Sequence, residues 1–329
     1  RSDARGTGDY TFASGVHWQI FTDVMGPRTI NFGGGSIMGY LPLDYDQVAV
    51  IQTIRSDVII NLTANSYLGQ IYPAGVSNGA NSFIYDMGKL NTTTNLNPSD
   101  VGLRGSYLVI DGDITGDFDL TKVGQDVIKL AGVNNFRHLN IEGGIIEIGR
   151  EYGLNPATVV RTQGEGTSAI LDLNGYNLEI AGLTGPSGSV NNSAFNFNTL
   201  IVTTATDYTY AGSINGSVTL RKWGAAKQTL TGVNEYQGGT ILEEGVLSVA
   251  ADTSLGRVHL ATRADSLFFA GGTLETTANM TIVPTRGITI DAVGGTIATA
   301  AGTLLQVDSI VTGAGALNKI DDGTIQLNN

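Results

Sequence analysis

The chain has 329 residues, 45 of them glycine and none cysteine, with 41% apolar residues, 15% charged residues and a net charge of −12. That balance excludes a nucleic-acid binder, which needs a basic stripe, and disfavours an anionic membrane surface for the same reason. Disorder is excluded by the apolar share, and no apolar run approaches the ~18 residues that would suggest a membrane span.

Length alone would permit two ordinary domains of ~100–200 residues. The composition points elsewhere. Glycine-rich, charge-poor sequence with abundant Thr, Asn, Val and Ile favours many short strands joined by tight turns. An acidic surface keeps such a β-rich body from pairing edge to edge. A large exported protein can also do without disulfides, although small secreted domains seldom do.

In chain order, the sequence opens on the polar stretch Arg1-Ser2-Asp3-Ala4-Arg5 and shows no signal peptide. Export would require a signal already removed or lying outside this sequence. Residues 1–100 carry no recognisable repeat and are expected to form an N-terminal β-solenoid or capping region. Gly33-Gly34-Gly35 lacks the Lys-Ser/Thr or helix of a phosphate loop and reads as a turn. Asp44, Asp46 and Asp57 could converge, with Tyr40, Tyr45 and Tyr67 available to stack on sugars. Polysaccharide hydrolysis would need such carboxylates ~5–9.5 Å apart on one face. Residues 48–69 alternate as half-buried strands do.

From residue 114 a repeat emerges. Residues 114–136 (ITGDFDLTKVGQDVIKLAGVNNF) align without a gap on 214–236 (INGSVTLRKWGAAKQTLTGVNEY). Matched positions include Gly116 and Gly216, Leu120 and Leu220, Lys122 and Lys222, Asn134 and Asn234, Phe136 and Tyr236. The likeness continues through 139–149 and 240–250, and a third copy starts at Ile310 and is cut in mid-repeat at Asn329. The copies therefore lie near 114–149, 214–256 and 310–329, within a region 101–329 expected to continue directly from the first hundred residues.

Apolar residues at every second position, as in Asp117-Phe118-Asp119-Leu120-Thr121, give the period of a half-buried strand, and glycines punctuate the turns. No amphipathic helical pattern persists beyond two turns, so helix content should be close to nil. A sandwich lacks internal repeats, and propeller blades repeat at ~40–50 residues, a period absent here. A right-handed parallel β-helix with irregular loops remains. Coils of ~20–25 residues would number about 14 and stack into a rod of roughly 65–70 Å.

The stretch from Tyr210 to Gly256 resembles the autotransporter-associated β-strand repeat of bacterial passenger segments. The matching pieces are Thr219-Leu220-Arg221-Lys222-Trp223-Gly224, residues 230–240 (LTGVNEYQGGT), Gly245-Val246-Leu247-Ser248-Val249 and Ser254-Leu255-Gly256. Residues 171–185 (LDLNGYNLEIAGLTG) look like the strand-turn-strand unit that leads into such repeats, and Arg221 and Ala226 depart from the usual small residues. The resemblance implies a passenger at the outer-membrane surface or outside a Gram-negative-type bacterium. It says little about activity, because such a repeat serves as scaffold.

The chemical candidates were weighed against simpler roles. Asn134 and Asn234 recur with the repeat, as turn side chains bonding backbone or as an internal ladder would. Asp111, Asp113, Asp117 and Asp119 lack the spacing of a calcium loop, with Thr115 and Lys122 at ligand positions, and read as an outward polar row. His17, His138 and His259 stand alone, and Asp321-Asp322 falls in a repeat turn. No G-x-S-x-G motif occurs. No catalytic, cofactor-binding or metal residue is therefore assigned, and no cofactor. The expected function is a structural or adhesive surface protein, not an enzyme, with a glycan-degrading or glycan-binding β-helix as the alternative. Expected partners are a sister copy or continuing polypeptide at the solenoid ends, and a host-surface or glycan ligand.

Overall fold

The computed structural model describes residues 107–123, 127–164 and 169–328, together with 9–12, 17–20, 28–33, 36–39, 51–54, 58–64 and 66–70. Among these residues the regular elements are β-strands, apart from one 3-10 turn at Asp252–Leu255. The strands pair in parallel. A parallel neighbour cannot be reached through a hairpin, so each strand meets its partner only after the chain has completed a circuit. Leu120 pairs with Leu139 and Leu220 with Thr240, offsets of 19 and 20 residues. This is a parallel β-solenoid, as the alternating pattern and glycine punctuation imply.

The chain groups into two compact units, residues 1–158 with 163–171 and residues 159–162 with 172–329. The boundary expected near residue 100 falls in a stretch, 71–106, outside the described residues. In the first unit each circuit contributes one strand to each of three sheets, for example Asp113–Thr115, Asp119–Lys122 and Val127–Leu130. In the second unit Ser213–Gly216, Val218–Trp223 and Lys227–Leu230 follow the same order. The two aligned repeat copies thus fold into the same three-strand circuit.

Coil lengths are less uniform than the sequence suggests. They run from 18 residues (Val127 to Ile145) through 27 (Thr240 to Leu267) to 30 (Ile30 to Ile60). One sheet of the first unit has five strands and one sheet of the second has seven, fewer coils than the about 14 that uniform coils would give. The difference went into excursions, the longest separating Ile60 from its partner Ile114.

Alternation sorts the side chains. In Val127–Leu130 and Ile145–Ile148, Ile128, Leu130, Ile146 and Ile148 point inward with no exposure. In the second unit Leu200, Leu220, Thr240, Leu267 and Ile288 fall in register on successive strands and are all buried. Each such aliphatic side chain contributes ~1.5–3 kcal/mol of transfer free energy. The turns need glycine where coils nearly touch. Gly116 and Gly216, equivalent in the two copies, have φ of 132° and 83°. A Cβ at Gly116 would lie 2.2 Å from the Leu62 carbonyl oxygen, and one at Gly216 2.7 Å from that of Asn192.

Candidate functional site

The residues that define the repeat are spent on the interior. Asn234 is buried; its amide nitrogen donates to the Ser254 carbonyl (2.7 Å), and its oxygen accepts from the Ile214 N–H (2.8 Å). Ser254 Oγ returns a bond to the Gly232 carbonyl (3.1 Å). The Tyr236 hydroxyl shares a proton with Thr240 Oγ1 (2.6 Å), and a Cβ at Gly256 would strike the Tyr236 ring at 2.6 Å. Asn134 repeats the pattern, donating to the carbonyls of Gly132 and Gly153, both at 2.9 Å. The asparagines therefore bond turn backbone from inside, where no ligand reaches.

The repeated lysines do the same with charge. Lys122 Nζ donates to the carbonyls of Val123 (2.8 Å) and Gly143 (3.2 Å). Lys222 Nζ donates to those of Trp223 (3.1 Å), Gly224 and Glu244 (3.1 Å). Burial pushes the Lys222 ammonium down to about 8, against the pull of Glu244 and Asp207. Each lysine gathers carbonyls from its own turn and from the next coil. In the third copy Lys319 is exposed and bonds only the nearby Asp321 carbonyl among the described contacts.

The acidic candidates do not come together. Asp113 accepts the Val133 N–H (2.7 Å); Asp119 accepts Arg137 Nε (2.9 Å) and lies 2.7 Å from His138 Nδ1; Asp117 is exposed. Among the described residues no group of three His, Asp or Glu side chains is placed to hold a metal ion. Burial, with Arg263, Arg286 and Arg257 nearby, holds the His259 imidazole below its ordinary value. Asp321 and Asp322 are exposed in the turn between Leu317–Ile320 and Thr324–Leu327, with Asp321 at φ 65°. Asp44, Asp46, Asp57, Tyr40 and Tyr45 lie outside the described residues, as do the side chains of Tyr67 and His17.

Sequence reasoning missed three features. Arg286, 2% exposed, enters a bidentate pair with Asp252 through Nε to Oδ1 (2.8 Å) and NH2 to Oδ2 (3.2 Å). It also donates to the Leu255 (2.7 Å) and Gly256 (2.8 Å) carbonyls, locking the Asp252–Leu255 turn. The second is an outward pair on one sheet of the second unit. The Arg221 guanidinium lies 5.5 Å from the centroid of the Trp223 ring and pairs with Glu243 at 2.6 Å.

The third is a surface loop after strand Ser189–Asn192. Phe195 is fully exposed and Phe197 is 58% exposed. The backbone beneath them is fixed. The Asn192 amide donates to the carbonyls of Asn196 (2.8 Å) and Ser217 (3.0 Å), and its oxygen accepts from the N–H groups of Gly175 (3.0 Å) and Ala194 (3.2 Å). Asp172 accepts from the Asn174 (2.8 Å) and Ser193 (3.0 Å) N–H groups, and Asn196 donates to the Gly175 carbonyl (3.1 Å). Two apolar rings thus stand in solvent on a loop held by buried polar anchors. Such an arrangement suits contact with something outside the molecule better than any chemistry on a substrate.

Comparison with known proteins agrees with this reading. Residues 220–249 match the passenger-associated-transport-repeat family. A 114-residue stretch, 35% of the chain, is 41% identical to the adhesin BmaC autotransporter of Brucella suis biovar 1 (strain 1330). That stretch spans only 3% of the relative's own length. No solved structure gives a significant match.

Proposed function

From a chain that carries an autotransporter passenger repeat, and so lies outside the cell or on the outer-membrane surface of a Gram-negative bacterium, we propose an adhesive passenger segment. The β-solenoid serves as scaffold, and the exposed loops make contact with a surface. The observation that carries this reading is the division of labour within the chain. Repeat residues such as Asn234, Tyr236 and Lys222 are buried in backbone bonding, while Phe195 and Phe197 are left in water. The resemblance to a relative named as an adhesin supports it.

Beads coated with the purified chain are expected to attach to host-cell monolayers well above beads coated with an unrelated acidic β-solenoid. Equal attachment would remove the adhesive reading. Release of new reducing ends from a panel of polysaccharides would replace it with the enzymatic one.

The same proposal extends to assembly. Val311, Ile320 and Leu327 are exposed, whereas their partners one coil earlier, Ile288, Ala298 and Val307, are buried. An edge of this kind accepts a further parallel coil, and a sister copy is one source of it. Sedimentation equilibrium should then show a concentration-dependent rise in mass that Val311→Lys with Ile320→Lys abolishes. A mass that stays monomeric at all concentrations rules out the sister copy.

A further inference from the structure

We infer that the loop carrying Phe195 and Phe197 binds the apolar ring faces of an uncharged glycan; this rests on the adhesive reading and names its ligand class. Three independent features of the loop lead there.

The first is exposure without a folding benefit. Phe195 is fully in water and Phe197 more than half so, two positions apart on one loop. Aromatic rings gain most when removed from water, so two left exposed together leave the contact energy to a partner.

The second is rigidity. Asn192 is buried, and its side-chain amide bonds backbone on both sides of the loop, at Gly175, Ala194, Asn196 and Ser217. Asp172 fixes the neighbouring turn through the N–H groups of Asn174 and Ser193. The backbone is therefore ordered before any ligand arrives, and binding costs little further entropy. A loop shaped only to connect two strands needs no such set of anchors.

The third is the chemistry of the surroundings. Between Leu173 and Asn198 the only acidic or basic side chain is Glu179, in a chain of net charge −12. Glu179 already accepts Thr203 Oγ1 at 3.1 Å. The rings are bordered by the amides of Asn174 and Asn196 and the hydroxyls of Ser193 and Tyr176. Electrically neutral surroundings match a neutral ligand: a polyanion would find no cation here, and a basic peptide no row of carboxylates. A pyranose fits both parts, with C–H faces for the phenyl rings and hydroxyls for amides that donate and accept.

The test uses the full chain on immobilised neutral oligosaccharides built of hexoses and N-acetylhexosamines, with sulfated and sialylated glycans alongside. Retention on at least one neutral structure is expected. It should fall about tenfold or more in Phe195→Ser and in Phe197→Ser, and return in Phe195→Tyr, with the thermal midpoint unchanged in all three. The bead-adhesion assay runs in parallel. Adhesion that depends on Phe195 without any neutral glycan bound assigns the loop to a protein partner and overturns the glycan inference alone. Glycan retention indifferent to both phenylalanines, or confined to charged glycans, overturns it as well. Glycan binding at the loop without bead adhesion leaves the inference standing and defeats the adhesive reading.

Discussion

Replacing Arg286 by methionine should cost about 3–5 kcal/mol of stability, the largest loss expected from any single substitution described here. Methionine keeps the apolar bulk of the side chain but removes the cation. The Asp252 carboxylate, 10% exposed, then remains buried without its partner. The carbonyls of Leu255 and Gly256 lose their donor too. An unpaired buried charge and orphaned carbonyls are each far costlier than the pair itself is valuable. Asp252→Asn added to Arg286→Met should therefore recover part of the loss. Denaturant midpoints of both variants check this, with exposed Arg257→Met as the control. A shift for Arg286→Met no larger than that of the control would mean that the pair does not hold the excursion.

In strong base, two buried phenols should govern stability. Burial pushes Tyr210 and Tyr236 up to about 12 from their ordinary 10, against the lowering influence of their Thr162 and Thr240 hydrogen bonds. The unfolded chain loses these protons near pH 10, whereas the folded chain keeps them to about pH 12. Their stabilisation is whole below pH 10 and is lost as the pH climbs through about 12. Two displacements of this size amount to roughly 5 kcal/mol together. Lys222 works in the opposite sense. Its depressed value of about 8 means that raising the pH toward 10.5 relieves a penalty. Stability should thus hold or rise from pH 8 to 10 and fall steeply beyond. Tyr210→Phe with Tyr236→Phe lowers stability at neutral pH through the lost hydrogen bonds, but it should flatten the alkaline fall. An equally steep fall in the double variant would place its origin elsewhere.

Much of the architecture was legible because a solenoid writes its period into the chain. Asn134 and Asn234 sit one hundred residues apart and occupy the same buried turn position, so recurrence itself pointed to a structural role. The glycines were readable for the same reason: Gly116 and Gly216 face carbonyls of the preceding coil. What escaped was whatever the repeat does not contain. The Arg286–Asp252 pair joins residues 34 apart across a 27-residue coil, and no local pattern marks that distance. Phe195-Asn196-Phe197 alternates apolar and polar like a half-buried strand, yet both rings face water because Asn192 and Asp172 turn the backbone outward first. Uneven excursions also defeated the coil count, since composition registers how often the chain turns but not how far it strays between turns.

The direction in which the buried polar groups reach has a consequence for how the chain acquires its shape. Lys222 takes a carbonyl from Glu244, Asn234 takes one from Ser254, and the Asp252 turn waits for Arg286. In each case the group that completes a coil arrives about twenty to thirty-five residues later. A chain released into water from its N-terminal side would at every moment carry one unfinished layer at its growing end, with finished layers behind it. The last layer laid down offers the template for the next, and each new layer closes the bonds that the previous one left open.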